Sequence, residues 1–415
     1  MISMPPGYSI LTTASVRDVV AGLPDLARRL GGPPAAWKIQ EIGDGNMNQV
    51  FDLTGPAGGI VVKQSLPYIR SVGESWPFPI ERIDFEHEAL GVQAHAAPGL
   101  VPEIYHYDPV RAFIAMERLS PHIILRKGLV RGIRYPRLAE QLGDFLARSL
   151  FFTSDLALTT PQKKRLMARF AGNAELCATT EDVIFTGPYW EAPLNRHTSP
   201  QLDAAVAALR ADEEAMIAAA ELKLVFRTAT EAVIHGDLHT GSVMVSEDDT
   251  RVIDAEWAFF GPMGFDLGAV VGNLLLAYFS QPGHASDDDD RTAYRAWILA
   301  LIEQIWTCFE TGFLDLWRRH PSELLPPTLA PKSAAAERLY RRRMAGLLAD
   351  TAGFAGAKMI RRLMGISHVE DFEAIASPET RARCEAAAMA CARELMVRRT
   401  GFRSIGALTE DARQR

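Results

Sequence analysis

The stretch that most constrains this chain is residues 233–266, VIHGDLHTGSVMVSEDDTRVIDAEWAFFGPMGFD. An apolar run ends in a polar turn that holds Asp237. A second short apolar strand, Arg251-Val252-Ile253, then returns the chain to two further carboxylates, Asp254 and Glu256. A lone Asp beside a His carries little information. Three carboxylates delivered by neighbouring strand ends divide naturally into one that takes a proton and two that hold a cation, which is the division of labour phosphoryl transfer needs.

Composition sets the outer limits. The chain has 415 residues, 48% hydrophobic and 23% charged, enough for two or three units each with its own core. A net charge of -7 and a pI near 5.9 give no general attraction to nucleic acid or an anionic membrane, so the expected partner is a small molecule. The opening residues, MISMPPGYSILTT, lack a charged region followed by an apolar one, and no signal peptide is expected. The apolar segment 267–279 is short and interrupted by glycine, so no membrane span is expected either. Cys177, Cys308, Cys384 and Cys391 are far apart and read as buried thiols in a reducing cytoplasm.

In chain order, apolar spacing predicts a helix over 15–30, closed by Gly31-Gly32. WKIQEIGDGNMNQVFDLTG and GGIVVKQSL then read as three strands separated by turns, with Lys63 on the third. Gly43-Asp44-Gly45 by itself is an ordinary hairpin turn, although its glycines also permit close approach of a ligand. Residues 79–95 read as an acidic helix carrying Glu81, Glu86 and Glu88, of which Glu88 is favoured as a partner for Lys63. Two more strands end at Met116-Glu117-Arg118-Leu119. Helical spacing follows over 138–152, 161–170, 201–229 and 292–317. The run from Ser286 to Asp290 precedes the last of these and reads as helix capping or plain solvation rather than as a metal-binding acidic cluster. LPPTLAPKS reads as a loop, and the helical region beyond it contains Arg361-Arg362.

The order of these parts resembles the protein kinases: a glycine turn, a strand lysine that grips nucleotide phosphates, a strand running into a hinge, and a His-x-Asp loop followed one strand later by a metal-binding Asp. Gly236 stands where kinases have Arg, Ser242 where they have Asn, and Asp254-Ala255-Glu256 where they have Asp-Phe-Gly. EIGDGNMNQVF, VVKQSLPY, VGESWPFPIER, MERLSPHIILRKGL, IHGDLHTGSVMV, DAEWAFFGPMGFD and MIRRLMGISHVEDF together resemble the S-methyl-5-thioribose kinase family, within the branch that holds aminoglycoside and choline kinases. That resemblance implies an α+β, protein-kinase-like bilobal fold. A small antiparallel-β N-lobe would span 1–118 and a larger, mostly helical C-lobe 119–415. It implies an Asp-x-Glu metal motif at Asp254 and Glu256, with Mg²⁺ held there and ATP as co-substrate. Nucleotide contacts fall on Asn46, Lys63, Glu117, Arg118, Leu119, Asp254, Ala255 and Glu256, and Trp76 matches a loop that closes over the nucleotide. Substrate contacts fall on Asp237, the catalytic residue, and on Arg361 and Arg362, with Arg362 favoured. A homodimer is implied by the resemblance alone.

The expected reaction is ATP-dependent phosphorylation of the 1-hydroxyl of S-methyl-5-thioribose, in methionine salvage. One alternative is another small-molecule kinase of the same fold, acting on an aminoglycoside, choline or homoserine. A cationic acceptor calls for acidic or aromatic residues, and the arginine pair argues against it. A second alternative is an inactive nucleotide-binding scaffold, but Lys63, Asp237 and both metal carboxylates are present. No G-x-S-x-G occurs, which disfavours a serine hydrolase. His235 and His239 bracket Asp237, but Gly236 and the turn argue against a helical two-His zinc site, and His235 is expected to brace the loop.

Overall fold

The computed structural model describes residues 5–43, 47–70, 73–320, 323–326 and 329–415. Contacts divide the chain into one compact unit of residues 1–121 with 253–258, and a second of 122–252 with 259–415. The segment bearing Asp254 and Glu256 thus belongs to the first unit, although strands of the second flank it in sequence.

In the first unit, α1 (Thr13–Ala21) begins with a capping box between Thr12 and Ser15, and α2 (Pro24–Leu30) follows. The single helix expected over 15–30 is therefore two. Pro24 cannot donate to a continuing helix, and it sits instead at the first turn of α2, where no donor is needed. Gly31, at φ 66°, ends α2. The described strands β1 (Lys38–Ile42), β2 (Asn48–Thr54), β3 (Gly59–Ser65), β6 (Ile104–Asp108) and β7 (Phe113–Glu117) form an antiparallel sheet in the order β1-β2-β3-β7-β6. β4 (Tyr68–Ile69), β5 (Gly73–Pro77) and α3 (Arg82–Ala96) lie between β3 and β6 in the chain.

Strand alternation decides what this sheet buries. Phe51, Leu53, Ile60 and Val62 join Val16, Val20, Leu26, Leu30 and Trp37 in one core cluster. Lys63, one residue beyond Val62, projects from the opposite face.

The second unit opens with β8 (Ile123–Ile124) and α4 (Leu125–Val130), then α5 (Leu138–Phe152), α6 (Thr160–Phe170), α7 (Ala174–Phe185), α8 (Asp203–Arg210) and α9 (Glu213–Thr228). α8 and α9 replace the single helix expected over 201–229, because Asp212 leaves helical geometry and accepts the N–H of Ala215 as the cap of α9. β9 (Ala232–Ile234) pairs with β12 (Phe259–Gly261), and β10 (Val243–Val245) lies between β8 and β11 (Thr250–Val252). α10 (Met263–Ser280), α11 (Thr292–Arg319), α12 (Ala334–Met364), α13 (Glu370–Glu373), α14 (Pro378–Val397) and α15 (Ile405–Arg413) complete the unit. Ahead of α11 the N-cap is Arg291, which makes no side-chain cap bond; Asp289 and Asp290 accept the N–H groups of Arg291 and Thr292 in the turn that leads into the helix.

α10 is buried along its whole length. Residues Met263–His284 are long and apolar enough to cross a membrane, with mean hydropathy 1.4, but that window is entirely buried inside the protein. It is a longer apolar helix than 267–279 suggested. Gly264, Gly268 and Gly272 recur every fourth residue along it. A Cβ on Gly268 would come within 2.7 Å of the Phe354 Cβ and 2.8 Å of the Ala355 N, so only glycine lets α10 lie this close to α12. That contact fixes the part of α12 from which the site's cations project.

Candidate active site

In the first unit, Lys63 from β3 meets two carboxylates. Its Nζ lies 2.7 Å from Glu86 Oε2 and also contacts Asp254. Glu86, not the favoured Glu88, is therefore the partner. On α3 the inward face repeats at Arg82, Glu86 and Leu90, and Glu88 is rotated off that face. Burial disfavours a proton on Lys63, but the charges of Asp254, Glu86 and Glu256 outweigh it and push its pKa above the ordinary value, so it is a permanent ammonium. Ligand atoms of Glu86, Asp254 and Glu256 all lie within 4.8 Å of one another, and among the described residues this is the group suited to a metal ion. Asp254 adopts φ 71°, a left-handed conformation uncommon outside glycine, and its side chain is 40% exposed, the most accessible of the three.

Glu256 is held by residues that the sequence reading missed. Arg82 Nε donates to Glu256 Oε2 at 3.0 Å, and Asn48 Nδ2 donates to the same oxygen at 2.9 Å. Arg82 also donates to Asn48 Oδ1, at 2.8 Å from Nη2, and to the carbonyls of Leu66, Pro79 and Met47. Its side chain is fully buried. A guanidinium with its donors committed in this way is a rigid mount for one carboxylate of the acidic cluster. The sign in the sequence was Arg82 and Glu86 one turn apart on an otherwise apolar helix face.

At the expected hinge, Glu117 pairs with Ile60 of β3, and its N–H donates to Glu103 O at 2.8 Å. The guanidinium of Arg118 grips Asp52 with two bonds of 2.6 and 2.9 Å, so this side chain is a strut to β2. Leu119 is half-buried and Ala255 fully buried, while Trp76 lies half-buried on β5. Asn46 lies outside the described residues.

In the second unit, the loop between β9 and β10 presents Asp237. Gly236 takes φ 84°. The Asp266 carboxylate, from the first turn of α10, accepts the N–H groups of His235 at 2.6 Å and Gly236 at 3.0 Å. His235 Nδ1 accepts the N–H of Asp237 at 3.3 Å, which bears out its bracing role, and Ser242 Oγ donates to Asp237 O at 2.9 Å. Asp266→Asn should lower stability by about 1–3 kcal/mol, because the amide's NH₂ cannot accept and leaves a buried backbone donor unmatched. Urea unfolding checks this; an unchanged midpoint would mean that the two bonds contribute nothing.

α12 supplies the charge around Asp237. Lys358 Nζ is 3.2 Å from Asp237 Oδ1, and Arg362 Nη2 is 3.8 Å from Oδ2. Arg362 also donates to Ser367 O at 2.7 Å. Arg361 Nε is buried with no hydrogen-bond partner among the described residues. Lys358 escaped the sequence reading, although a lysine three and four residues before two arginines in the run FAGAKMIRRLMG marks one cationic helix face. From α4, Arg126 joins the cluster through Thr240 Oγ1 at 3.2 Å and Asp371 Oδ2 at 3.3 Å.

Burial alone would raise the pKa of Asp237. His239 opposes this when its ring is protonated, as do the standing charges of Lys358, Arg362 and Arg361, and the carboxyl is held well below the usual range. Burial keeps His239 itself neutral through the physiological range. Its Nδ1 accepts the N–H of Gly241 at 2.8 Å, so the proton sits on Nε2, 3.5 Å from Asp237 Oδ2. His235 and His239 each hold the turn by accepting one of its backbone N–H groups.

Comparison with known proteins agrees with this constellation. Residues 38–305 match the phosphotransferase enzyme family. The chain is 48% identical over 404 residues to methylthioribose kinase 1 of Oryza sativa subsp. japonica, covering 96% of this chain and 94% of that protein. It is 42% identical over 414 residues to the methylthioribose kinase of Escherichia coli, covering 99% of each. Among solved structures, a glucosamine kinase aligns over 92% of this chain and 83% of its own with a TM-score of 0.50 at 13% identity, a likeness of fold. The expected α+β, protein-kinase-like fold is thus present, with its small antiparallel sheet in the first unit and a mostly helical second unit. The chain belongs to the phosphotransferase enzyme family and, within it, to the methylthioribose kinases.

Proposed function

We propose that the protein transfers the γ-phosphoryl group of ATP to the 1-hydroxyl of S-methyl-5-thioribose, giving S-methyl-5-thio-α-D-ribose 1-phosphate and ADP, a step of methionine salvage. The bond from the γ-phosphorus to the β,γ-bridging oxygen breaks, a bond to the sugar O1 forms, and the hydroxyl proton passes to Asp237. What carries the choice of acceptor is the end-to-end likeness to enzymes named for that sugar.

Each group has a chemical reason for its role. Lys63 is a permanent cation suited to nucleotide phosphates. Main-chain groups at Glu117, Arg118 and Leu119 take the adenine edge, Asn46 and Trp76 add further nucleotide contacts, and Ala255 keeps the acidic motif's backbone packed. Asp254 and Glu256 are hard oxygen donors clustered closely enough for Mg²⁺, so the residues present fit that ion. Bound there, Mg²⁺ supplies charge neutralisation for the phosphate oxygens. Asp237, with its depressed pKa, is a weak base, so its main work is to orient the hydroxyl and accept its proton late. A loose transition state tolerates this, because positioning and electrostatics dominate. Arg362 and Arg361 offset the negative charge that arrives at the acceptor. The reading further takes the protein as a cytoplasmic homodimer, with no nucleic acid or membrane partner.

ADP release by the purified protein with Mg-ATP should be stimulated strongly by methylthioribose and not by choline, homoserine or an aminoglycoside. Chelation with EDTA should return it to background. Stimulation by another acceptor instead would overturn the substrate, and silence with all four despite ATP binding would favour a scaffold.

A further inference from the structure

The two oxygens of Asp237 have different surroundings. Oδ1 faces Lys358 Nζ at 3.2 Å, whereas the approaches to Oδ2 are His239 Nε2 at 3.5 Å and Arg362 Nη2 at 3.8 Å, both beyond good hydrogen-bond length. Lys358 is 3% exposed, lies 3.4 Å from the Gly236 carbonyl and sits 4.1 Å above the Phe265 ring. A single ammonium thus holds the loop's backbone and its carboxylate together.

We infer that Lys358 is a positioning residue for the phosphoryl transfer: it commits Oδ1 of Asp237 and leaves Oδ2 as the oxygen that receives the acceptor's hydroxyl proton. The inference rests on the proposed kinase reaction and adds a division of labour between the oxygens of one carboxylate. The groups that face this carboxylate and its ammonium are His239 and His235 on the loop, Arg361 and Arg362 on α12, Arg126 on α4 and Asp266 on α10. Asp371 on α13 acts on them through Arg126. Of these, Lys358 has the shortest contact to the Asp237 carboxylate.

The test is K358M, which keeps the length and apolar stem and deletes the charge, assayed beside wild type, K358R, D237N and D237N/K358M. Expected in K358M are a fall in kcat on the order of 10²-fold, the cost of a misplaced reacting group, and little change in KM for ATP. The acid limb of the kcat profile should move up by about one to three on the pH scale, the usual effect of one adjacent cation on a carboxylate. K358R should keep the limb low. In the D237N background K358M should cost no further rate. A merely structural lysine would lower the rate at every pH and leave the limb in place, and that result overturns the inference. If K358M does not fold while D237N/K358M does, the lysine is still assigned to the carboxylate, since only the unpaired charge was intolerable. If neither folds, Lys358 is a folding residue and the inference fails. Wild type inactive on methylthioribose would instead sink the proposed reaction.

Discussion

Asp237→Asn is expected to lower kcat by roughly 10²–10⁴-fold, the range for loss of a proton-accepting group, with ATP affinity unchanged. The asparagine keeps the shape of the side chain, and Ser242 and His235 hold the loop through backbone atoms of residue 237, which the substitution retains. What is lost is a half-buried negative charge facing Lys358 and Arg362. Lys63 and its carboxylates belong to the other compact unit, so nucleotide titration should read as wild type. Asp237 itself should stay ionised as pH falls to the ordinary carboxylate range, because cations hold its carboxyl below it, so any loss of activity above that range must come from other groups. Single-turnover kinetics with saturating ATP check the rate, and full turnover in the variant would remove Asp237 from the reaction.

Arg82→Met should destabilise the protein by about 3–5 kcal/mol, the usual cost of removing one partner of a buried ion pair. The reason lies in what stays behind. Glu256 would remain 1% exposed with its strongest donor gone, and the carbonyls of Leu66, Pro79 and Met47 would lose theirs. Methionine fills much of the volume, so the loss reports polar bonds more than a cavity. Urea unfolding measures it. Adding Glu256→Gln should recover part of the loss, since the buried charge is then gone too, but not the share from the three carbonyls. A loss under about 1 kcal/mol would place the pair with ordinary surface ion pairs. In the folded fraction, the Mg²⁺ concentration needed for half-maximal rate should rise, because Glu256 is no longer held.

The parts of this site that could be read from the sequence share one property: they are set by short stretches. Asp237 with its loop, the strand lysine and the Asp-x-Glu pair depend on neighbours within a few residues, and strand alternation turns Lys63 away from Ile60 and Val62 without reference to the rest of the chain. The helix over 15–30 failed at Pro24, where a local rule was available and outweighed by apolar spacing. The choice of Glu88 failed for another reason. Which face of α3 turns inward is decided by what packs on it, and acidic composition does not report that.

Sequence alone, through its motifs and the family resemblance they carry, determined the reaction class and the α+β, protein-kinase-like class, because those motifs are short runs of fixed residue type and spacing. Tertiary structure decided which groups meet. Lys358 lies 121 residues from Asp237 and Arg82 lies 174 from Glu256. Each pair exists only because helices and strands were first packed by their apolar faces. The depressed pKa of Asp237 and the rigid seat of Glu256 come from burial and charge brought together by that packing, and neither is a property of any residue in isolation.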